Sequence, residues 1–396
     1  MRDAIVVLNA GSSSLKFSVF CTGEETASVR GQVERLEGDA QFRAEDASGK
    51  TVGEHSWASE RPPGHEGATA FVLSWLHEHA ANVQLAAAGH RVVHGGVAFT
   101  GPVRLNAEVL AALEGLTPLA PLHQPHSLAA ISAISRAAPG LPQVACFDTA
   151  FHRTMPGVEQ MYAIPPRFFE AGVRRYGFHG LSYEYIAAVM PEIDARAAAG
   201  RTIVAHLGNG ASLCAMRGGR SVGTTMGFTA MDGLVMGTRC GAIDPGVVLH
   251  LAKEPGATLE GVERMLYEQS GLLGVSGISS DMRALLASTE SGARRAVDMF
   301  VRRAAREIGA MAAVVGGIDA LVFTGGIGEH AAEVRRAIGA ACEWLGVEMD
   351  DVANASGTQR VSSAGSRVAA WVIPTNEELM ILRHTRRVLG LDAVIA

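Results

Sequence analysis

The sequence lacks the features that mark membrane, secreted and metal-rich proteins. No run approaches the roughly 20 apolar residues that a membrane helix needs, and no basic start precedes an apolar segment as in a signal peptide. The five cysteines are scattered without a CxxC pair, and we interpret the histidines of the single HxxxH spacing, His90 and His94, as structural rather than metal-binding. We therefore expect a cytoplasmic protein without a membrane partner, a disulfide framework or a tight transition-metal site.

An excess of positive charge is absent as well. The net charge is −6 and the isoelectric point is about 6.2, whereas nucleic-acid binding needs a basic surface. Neither the GxxxxGK[ST] sequence of P-loop proteins nor the GxGxxG fingerprint of dinucleotide-binding folds is found. The composition therefore gives no support for a nucleic-acid partner, and the sequence carries neither of these two standard nucleotide-binding motifs.

The strongest positive feature is a polar, glycine-containing turn between two apolar runs, which occurs twice. The copies are VLNAGSSSLKFSVF at 7–20 and IVAHLGNGASLCAM at 203–216, and the shift from Ser14 to Ser212 is half of the 396-residue chain. Each copy predicts a strand, a tight turn and a second strand, in which glycine lets the backbone approach an anion and polar side chains donate hydrogen bonds. Two copies predict two similar domains that close on one polyanion, most economically a nucleoside triphosphate.

Strands and helices are predicted to alternate along both halves, which indicates an α/β protein. Hydrophobic residues make up 48% of the chain, enough for a large core, and the first domain is predicted to end near residue 150. The predicted strands are 4–8, 17–21, 86–94, 143–147, 201–205, 320–324 and 369–373, and the predicted helices are 65–79, 106–116, 127–138, 294–315 and one from about 377. Residues 221–246 show no clear period.

Four cationic side chains are candidates for binding anions. Lys16 closes the first turn and is either a charge on phosphate or a solvated lysine. Arg91 lies in an apolar strand, Arg239 lies among glycines and threonine, and His179 lies in a glycine-flanked turn. A buried arginine must find an anion, which is either an internal carboxylate or a ligand. Two such arginines and a histidine, in a chain with two phosphate-type turns, favour a ligand.

The remaining candidates are polar residues at the ends of elements. Asn9 ends the first strand and is either a ligand of a hydrated metal or phosphate, or a turn residue. Asp148 and Glu377 are single acids of the kind that hold Mg²⁺ together with water and phosphates. The GGIGE segment at 325–329 is a helix entry that suits a nucleotide but is common. We interpret the other histidines of interest as hydrogen-bonded structural residues: His90, His94, His126 and His206.

Taken together, these segments resemble the acetate kinase family, within the acetate and sugar kinase, chaperone and actin fold group. The resemblance covers nearly the whole chain and rests on ten ordered motifs. They are NAGSSSLKF at 9–17, HRVVHGG at 90–96, PLHQP at 121–125, FDTAFH at 147–152, RRYGFHG at 174–180, HLGNGAS at 206–212, GTRCGAIDPG at 237–246, SSDMR at 279–283, FTGGIGE at 323–329 and PTNEEL at 374–379.

The resemblance implies the fold and the activity. The fold is two similar ribonuclease-H-like α/β domains, each a mixed sheet flanked by helices, with an active-site cleft between them. Residues 1–150, completed by a C-terminal helix at 383–396, form one domain, and 151–382 form the nucleotide-binding domain. The implied reaction is reversible transfer of the γ-phosphoryl group of ATP to acetate, with Mg²⁺ or alternatively Mn²⁺, in a homodimer. A propionate kinase is the close rival, and a nucleotide-driven switch of the actin or chaperone type is a more distant one.

The family pattern also implies roles for individual residues. The catalytic set is Arg91, Asp148, His179 and Arg239. Asn9 and Glu377 serve Mg²⁺. The acyl substrate is contacted by Arg91, Val93, Leu122, Phe178 and Ala230. The nucleotide is lined by Ser12, Ser14, Lys16, His206, Leu207, Gly208, Asn209, Gly210, Asp281, Met282, Arg283, Gly325, Gly326, Ile327, Gly328 and Glu329. Because a carboxylate substrate is already ionised at pH 7, no general base is required and direct in-line transfer is favoured. Asp148 is therefore expected to position Mg²⁺ or an arginine.

The sequence departs from the family pattern at four places. Gln124-Pro125-His126-Ser127 stands where Asn-Pro-Pro-Asn is more common. Ala230 replaces a usual proline, Ala242 a common acid, and His330 a common asparagine. The smaller residue at 230 predicts an acyl pocket that tolerates some propionate, while the other departures carry no functional expectation.

Overall fold

The computed structural model describes residues 2–11, 13–58, 61–79 and 83–391. The chain divides into two compact units. Unit 1 combines the chain up to Ala150 with the chain from Asn376 onward, and unit 2 is Phe151–Thr375. The predicted boundaries were 150/151 and 382/383, and the second of these falls inside the last helix.

The strands, in chain order, are β1 (Arg2–Ala10), β2 (Ser14–Cys21), β3 (Val29–Glu34), β4 (Gln41–Asp46), β5 (Thr51–Ser56), β6 (Val83–Val92), β7 (Val103–Arg104), β8 (Gln143–Phe147), β9 (Arg201–Leu207), β10 (Ala211–Arg217), β11 (Arg220–Thr224), β12 (Ala320–Thr324) and β13 (Ala369–Val372).

The helices are α1 (Gly64–His79), α2 (Ala107–Glu114), α3 (Gln124–Ala137), α4 (Gly157–Gln160), α5 (Pro166–Glu170), α6 (Gly180–Ile193), α7 (Ala195–Ala199), α8 (Pro245–Leu251), α9 (Leu259–Glu268), α10 (Gly271–Ser276), α11 (Met282–Ala287), α12 (Ser291–Val315), α13 (Gly325–His330), α14 (Ala332–Ala341), α15 (Asp351–Ser356) and α16 (Glu377–Leu389). Short 3₁₀ turns occur at Thr117–Leu119, Ala150–Thr154 and Glu343–Leu345. Within the described part of the chain, none of these helices has the length and hydrophobicity of a membrane span.

Unit 1 is built on a mixed sheet with the strand order β5-β4-β3-β2-β1-β6-β8-β7. β1 is antiparallel to β2 and parallel to β6, and β6 is parallel to β8. The alternating apolar side chains of β1 and β2, such as Leu8 and Phe17, are buried in a core covered by α1 and α3. α16 packs on β6 at Gly89, where an added Cβ would overlap Thr385 and Ile381, so this close approach requires glycine.

Unit 2 repeats that arrangement in its own sheet, ordered β11-β10-β9-β12-β13. β9 is antiparallel to β10 and parallel to β12, which is parallel to β13. The order and directions match β3-β2-β1-β6-β8 of unit 1. The long helix α12 presents Phe300, Ala304 and Ile308 to the interior. The predicted fold class, two mixed sheets flanked by helices, is therefore confirmed, and both hairpins form as the repeat predicted.

The long predicted elements are confirmed, and the differences have local causes. α3 begins at Gln124, three residues earlier than predicted, because Pro125 stands in its first turn, where a missing N–H costs nothing. The aperiodic stretch from residue 221 holds most of β11 and then an irregular segment that runs to α8. The short helices of unit 2 complete too few turns to show a 3.6-residue period in the sequence.

Candidate functional site

In unit 1, Arg91 and Asp148 form a buried ion pair. Arg91 lies near the carboxyl end of β6, and Asp148 follows the adjacent parallel strand β8. The arginine Nε lies 3.0 and 3.1 Å from the two carboxylate oxygens, and Nη2 donates to Oδ2 at 2.5 Å. The Asp148 side chain is only 1% exposed. Arg91 was expected to bind either an internal carboxylate or a ligand, and the structure shows the internal carboxylate of Asp148. Because Arg91 also lies near the end of its strand, it is placed where a ligand could reach it as well.

Asn9 and Glu377 join this pair. Arg91 Nη1 donates to Asn9 Oδ1 at 3.1 Å, and Asn9 Nδ2 donates to Glu377 Oε2 at 3.0 Å. Glu377 Oε2 also lies 3.9 Å from Arg91 Nε. The structure thus brings together four sequence-predicted residues from the ends of β1, β6 and β8 and the start of α16.

Electrostatics keep this cluster charged. Burial by itself would lower the pKa of Arg91, but the negative charges of Asp148 and Glu377 offset this effect and raise that pKa. Burial and the nearby Glu377 raise the pKa of Asp148, while Arg91 opposes the rise. We interpret the pair as fully ionised near neutral pH, because the carboxylate accepts several N–H bonds from one guanidinium. For Asp148, these contacts favour the role of holding an arginine.

The oxygen donors around Asn9 suit Mg²⁺ chemically. Glu377 and Glu378 both lie within hydrogen-bond distance of the Asn9 amide, and hard carboxylate and amide oxygens are the ligands that this ion prefers. Among the described residues, no three histidine, cysteine or carboxylate side chains form a metal-ligand group. The donors therefore fit an ion that keeps water or phosphate oxygens as its other ligands.

The turn of the first hairpin lies next to this cluster. Asn9 is directly opposite Lys16 in the β1–β2 register, so their side chains lie on the same face. Gly11 N–H donates to the Ser14 carbonyl at 2.8 Å and closes the turn. The Gly11 carbonyl accepts a 2.6 Å bond from Nε2–H of the buried His65 at the start of α1. Ser12, predicted to contact nucleotide, lies outside the described residues.

The unusual Gln124 has a structural explanation. Its buried side-chain amide accepts from the His94 N–H and donates to the His94 carbonyl, both at 3.2 Å, and donates to the Leu113 carbonyl. These bonds fix the segment after β6 that carries Val93, whose side chain is buried, while Leu122 is half-buried. Burial lowers the pKa of His94 to about 4, and its Nδ1 accepts the Gly96 N–H. The interpretation of His94 as structural agrees with these contacts.

His126, the second departure in this segment, stacks on His65. Their ring centroids are 4.1 Å apart and the rings are inclined by 23°. His126 therefore packs against the residue that holds the Gly11 carbonyl. Burial and the neighbouring His65 lower the pKa of His126.

In unit 2, two stacked histidines are each held by a serine. His179 adopts the left-handed conformation (φ 58°) at the start of α6, and its Nδ1 lies 2.8 Å from Ser212 Oγ. His206 Nδ1 lies 2.9 Å from Ser182 Oγ, and the two imidazoles stack at 4.2 Å. The hydroxyl of the fully buried Tyr183 lies 2.5 Å from Ser212 Oγ. His206, expected to be structural by its pattern and nucleotide-lining by the resemblance, thus lies beside His179.

Arg239 approaches the same glycine turn as His179. An added Cβ at Gly210 would lie 3.1 Å from Arg239 Nη2 and 3.2 Å from His179 Nε2. Arg239 Nη1 donates to the Ala230 carbonyl at 2.6 Å, which orients the guanidinium. The buried Phe178 is held through its carbonyl, which accepts a 2.9 Å bond from Nε2–H of His152. His179, His206 and Arg239 thus gather around the second hairpin turn.

A cavity of about 500 Å³ in unit 2, called here the nucleotide-type cavity, is lined by many of the residues predicted to contact nucleotide. Its walls include Gly208, Asn209, Asp281, Met282, Arg283, Gly326 and Ile327. Leu207 is fully buried, and Glu329 turns its carboxylate back to accept the Gly325 N–H at 2.9 Å and the Thr375 N–H at 3.2 Å. We therefore interpret Leu207, Gly325, Gly328 and Glu329 as residues that shape the turns behind the cavity.

The last two departures differ in what surrounds them. His330 lines the nucleotide-type cavity, with its side chain 80% exposed. The Ala242 carbonyl accepts from the Arg303 guanidinium, and the Ala242 N–H donates to the Gly233 carbonyl. Nothing in the structure explains the absence of an acid at position 242.

The sequence did not reveal the buried polar side chains that hold the predicted site residues in place through hydrogen bonds. Ser182, Tyr183 and Ser212 are buried beside His179 and His206, and Gln124 and His65 are buried in unit 1. The available signal was a polar residue within an apolar run, such as Ser212 in GASLCAM. Hydroxyl and amide side chains at such positions usually need a hydrogen-bond partner.

Comparisons with known proteins agree with the sequence resemblance. Residues 4–383 match the model of the acetokinase family. An acetate kinase of Rhodopseudomonas palustris is 52% identical over 98% of both chains, and one of Rhizobium meliloti is 47% identical over 97% of this chain and 98% of its own. The crystal structure of Porphyromonas gingivalis acetate kinase has 37% identity and a TM-score of 0.85, covering 98% of this chain and all of its own. A propionate kinase from Francisella tularensis has 36% identity and a TM-score of 0.88, covering 97% and 99%.

Proposed function

Because the chain belongs to the acetokinase family, we propose that it is a kinase that reversibly transfers the γ-phosphoryl group of ATP to acetate, giving acetyl phosphate and ADP. The family and the fold predicted from the sequence are confirmed by the comparisons. The single observation that supports a nucleotide substrate best is the 500 Å³ cavity, whose walls come mainly from segments that the family pattern assigns to nucleotide.

The acceptor substrate sets the mechanism. A carboxylate with a pKa near 4 to 5 is ionised at neutral pH, so its oxygen attacks without the help of a base. Catalysis then requires cations that neutralise and align two anionic partners. Arg91 and Arg239 fit this role because each guanidinium is held by fixed contacts, to Asp148 and to the Ala230 carbonyl. We propose direct in-line transfer, in which the acetate oxygen bonds to phosphorus as the bond to the ADP oxygen breaks.

His179 is proposed to stabilise the transferring phosphoryl group. Ser212 Oγ lies 2.8 Å from Nδ1, so Nε2, which lies beside the Gly210 turn, is the ring nitrogen proposed to face the phosphoryl oxygen. Asn9 and Glu377 are proposed to hold Mg²⁺, which when bound offsets negative charge on the nucleotide phosphates. Lys16, on the same hairpin face as Asn9, is proposed to contact phosphate.

Propionate is a second candidate acceptor. Ala230 stands where the family pattern has proline, and a related structure is named a propionate kinase. Loss of the proline ring widens the space by a few carbon atoms, and one methylene in an apolar pocket is worth only about 1–3 kcal/mol. We propose acetate as the preferred substrate, with measurable propionate turnover.

We also propose that the enzyme is a homodimer in the cytoplasm. All five cysteines are reduced and four of them are buried, which suits a reducing compartment. Sedimentation velocity of the purified chain at several concentrations tests the dimer.

The proposed reaction is tested by trapping acyl phosphate with hydroxylamine. The purified chain is incubated with ATP, Mg²⁺ and formate, acetate, propionate or butyrate, and hydroxamate and ADP are measured. We expect carboxylate-dependent ADP formation with acetate giving the highest kcat/KM. ADP formation without dependence on carboxylate would contradict the proposal and favour a nucleotide-driven switch.

A further inference from the structure

A second cavity in unit 2, of about 590 Å³, shares no lining residue with the nucleotide-type cavity. Its walls include Asp194 and Arg196, which follow α6, and Arg360, Arg367 and Trp371, from the segment that leads into β13 and from β13 itself. We propose that this cavity, named here the three-arginine cavity, binds a small phosphoryl-type anion carrying two or more negative charges.

The three arginines are held in place by neutral partners. Arg360 Nη2 donates to the Ser363 carbonyl at 3.1 Å, Arg196 Nη2 donates to the Asp319 carbonyl at 3.2 Å, and Arg367 Nη2 donates to the Leu345 carbonyl at 2.5 Å. Backbone carbonyls orient a guanidinium without neutralising its charge. The remaining N–H donors of each fork are thus positioned before any ligand arrives.

Charge balance in the three-arginine cavity is positive. Among the described residues, no carboxylate oxygen lies within 4.0 Å of these three guanidinium groups, in contrast to Arg201, whose Nη2 pairs with Asp319 at 2.9 Å. The one acid in the wall, Asp194, accepts the Ala197 N–H at 2.9 Å as a helix cap. Three positive charges against one negative charge leave an excess that a multivalent anion would neutralise.

Trp371 provides a further unsatisfied donor. Its indole Nε1 is buried and has no hydrogen-bond partner within the described ranges. The Arg360 guanidinium carbon lies 5.7 Å from the centroid of the indole ring, so ring and cation form one wall. A buried N–H without an acceptor is costly, and phosphoryl oxygens are strong acceptors that arginine binds in a bidentate manner.

Isothermal titration of the full chain with pyrophosphate tests the proposal, with ADP at saturation so that the nucleotide-type cavity is occupied. We expect one binding event per chain. R360Q/R367Q should weaken it by about tenfold or more, while R360K/R367K, which keeps the charge, should weaken it less. The matched control is R295Q/R302Q, which removes two exposed arginine charges from α12. Melting curves check folding, and R196Q gives a milder second variant.

Several results would overturn the proposal. These are no binding by the wild-type chain, equal weakening in R295Q/R302Q, and binding unchanged in both R360Q/R367Q and R196Q. A changed sedimentation coefficient in R360Q/R367Q without anion binding would assign the cavity to an interface between chains. Succinate in place of pyrophosphate separates a phosphoryl preference from a response to any dianion. None of these measurements requires phosphoryl transfer, and the comparison of R360Q/R367Q with R295Q/R302Q assigns the binding to the three-arginine cavity whether or not ADP binds, so failure of the proposed function is distinguished from failure of this proposal.

Discussion

The phenol of Tyr183 and the hydroxyl of Ser212 are hydrogen-bonded at 2.5 Å, and the same serine oxygen lies 2.8 Å from Nδ1 of His179. Burial raises the pKa of Tyr183 well above its ordinary value, so the phenol keeps its proton at working pH. Tyr183 and Ser212 therefore fix which His179 nitrogen faces the Gly210 turn. These two hydrogen bonds connect Tyr183 of α6, four positions after His179, to Ser212 of β10 in the second hairpin.

Tyr183→Phe is expected to lower kcat by about tenfold and to leave the KM values for ATP and acetate nearly unchanged, because one net hydrogen bond orients the histidine. Steady-state kinetics measures this. The matched control is Tyr185→Phe on the same helix, since Tyr185 packs against the apolar core of unit 2. Equal losses in both variants, or a loss confined to KM, would show that Tyr183 does not act through His179.

Arg91→Ala is expected to lower kcat by about 100-fold or more, the scale of losing one preorganised charge in the transition state. Arg91→Lys should recover little of it, because the planar fork that meets both Asp148 oxygens is lost. Arg201→Ala is the control, since Arg201 makes a similar paired contact with Asp319 outside the candidate site. If Arg91→Ala lowers only the melting temperature, as Arg201→Ala should, then Arg91 is a structural ion pair.

Much of the fold was predictable because the signals are local. The β1–β2 and β9–β10 hairpins follow from apolar runs around Gly and Ser, and the 25-residue helix α12 follows from the amphipathic pattern at 294–315. Arg91 was found as a cation within an apolar strand and Asp148 as an acid at a strand end, but their contact joins residues 57 positions apart. Gln124, His65 and Ser212 were missed because their importance lies in hydrogen bonds to distant backbone or side chains, which spacing along the chain does not reveal.

His65→Leu is expected to raise the KM for ATP by about tenfold with a smaller effect on the KM for acetate, because the Gly11 carbonyl loses its donor and the first turn is no longer fixed. His65→Gln, which keeps an N–H donor, should recover most of the affinity. His79→Leu is the control, since His79 lies on the same helix and also contacts a backbone carbonyl, that of Trp75. Unchanged nucleotide affinity in folded His65→Leu would exclude a role for this bond.

Acid is expected to destabilise the fold through buried histidines. Burial lowers the pKa of His90 and of His152 from 6.5 to about 4. The unfolded chain binds these protons as the pH falls below 6.5, whereas the folded protein binds them only near pH 4. The contribution of the two neutral histidines to the free energy of unfolding is therefore complete above pH 6.5. It is lost as the pH falls from 6.5 to about 4, by up to about 1.4 kcal/mol per pH unit for each histidine.

Urea unfolding at pH 7.5, 6.0 and 5.0 measures this dependence. His90→Gln removes one titrating group while offering an amide donor to Gln143, which His90 contacts at 2.8 Å. Its free energy of unfolding should therefore fall less steeply with acid. The exposed His250→Gln should leave the slope unchanged. Identical slopes in His90→Gln and the wild type would show that His90 is not a source of acid sensitivity.

Ala230→Pro is expected to increase the ratio of kcat/KM for acetate over propionate. Proline adds ring carbons beside the proposed acyl substrate but keeps the carbonyl that accepts the 2.6 Å bond from Arg239, so the arginine should stay in place. Since a methylene is worth about 1–3 kcal/mol in an apolar pocket, the ratio has room to change by tenfold or more. The control is Ala242→Ser, at the other position where alanine departs from the family pattern. Serine is used there because proline would remove the Ala242 N–H that donates to the Gly233 carbonyl. An unchanged ratio in Ala230→Pro, or a wild type that already rejects propionate, would show that residue 230 does not set acyl-chain length.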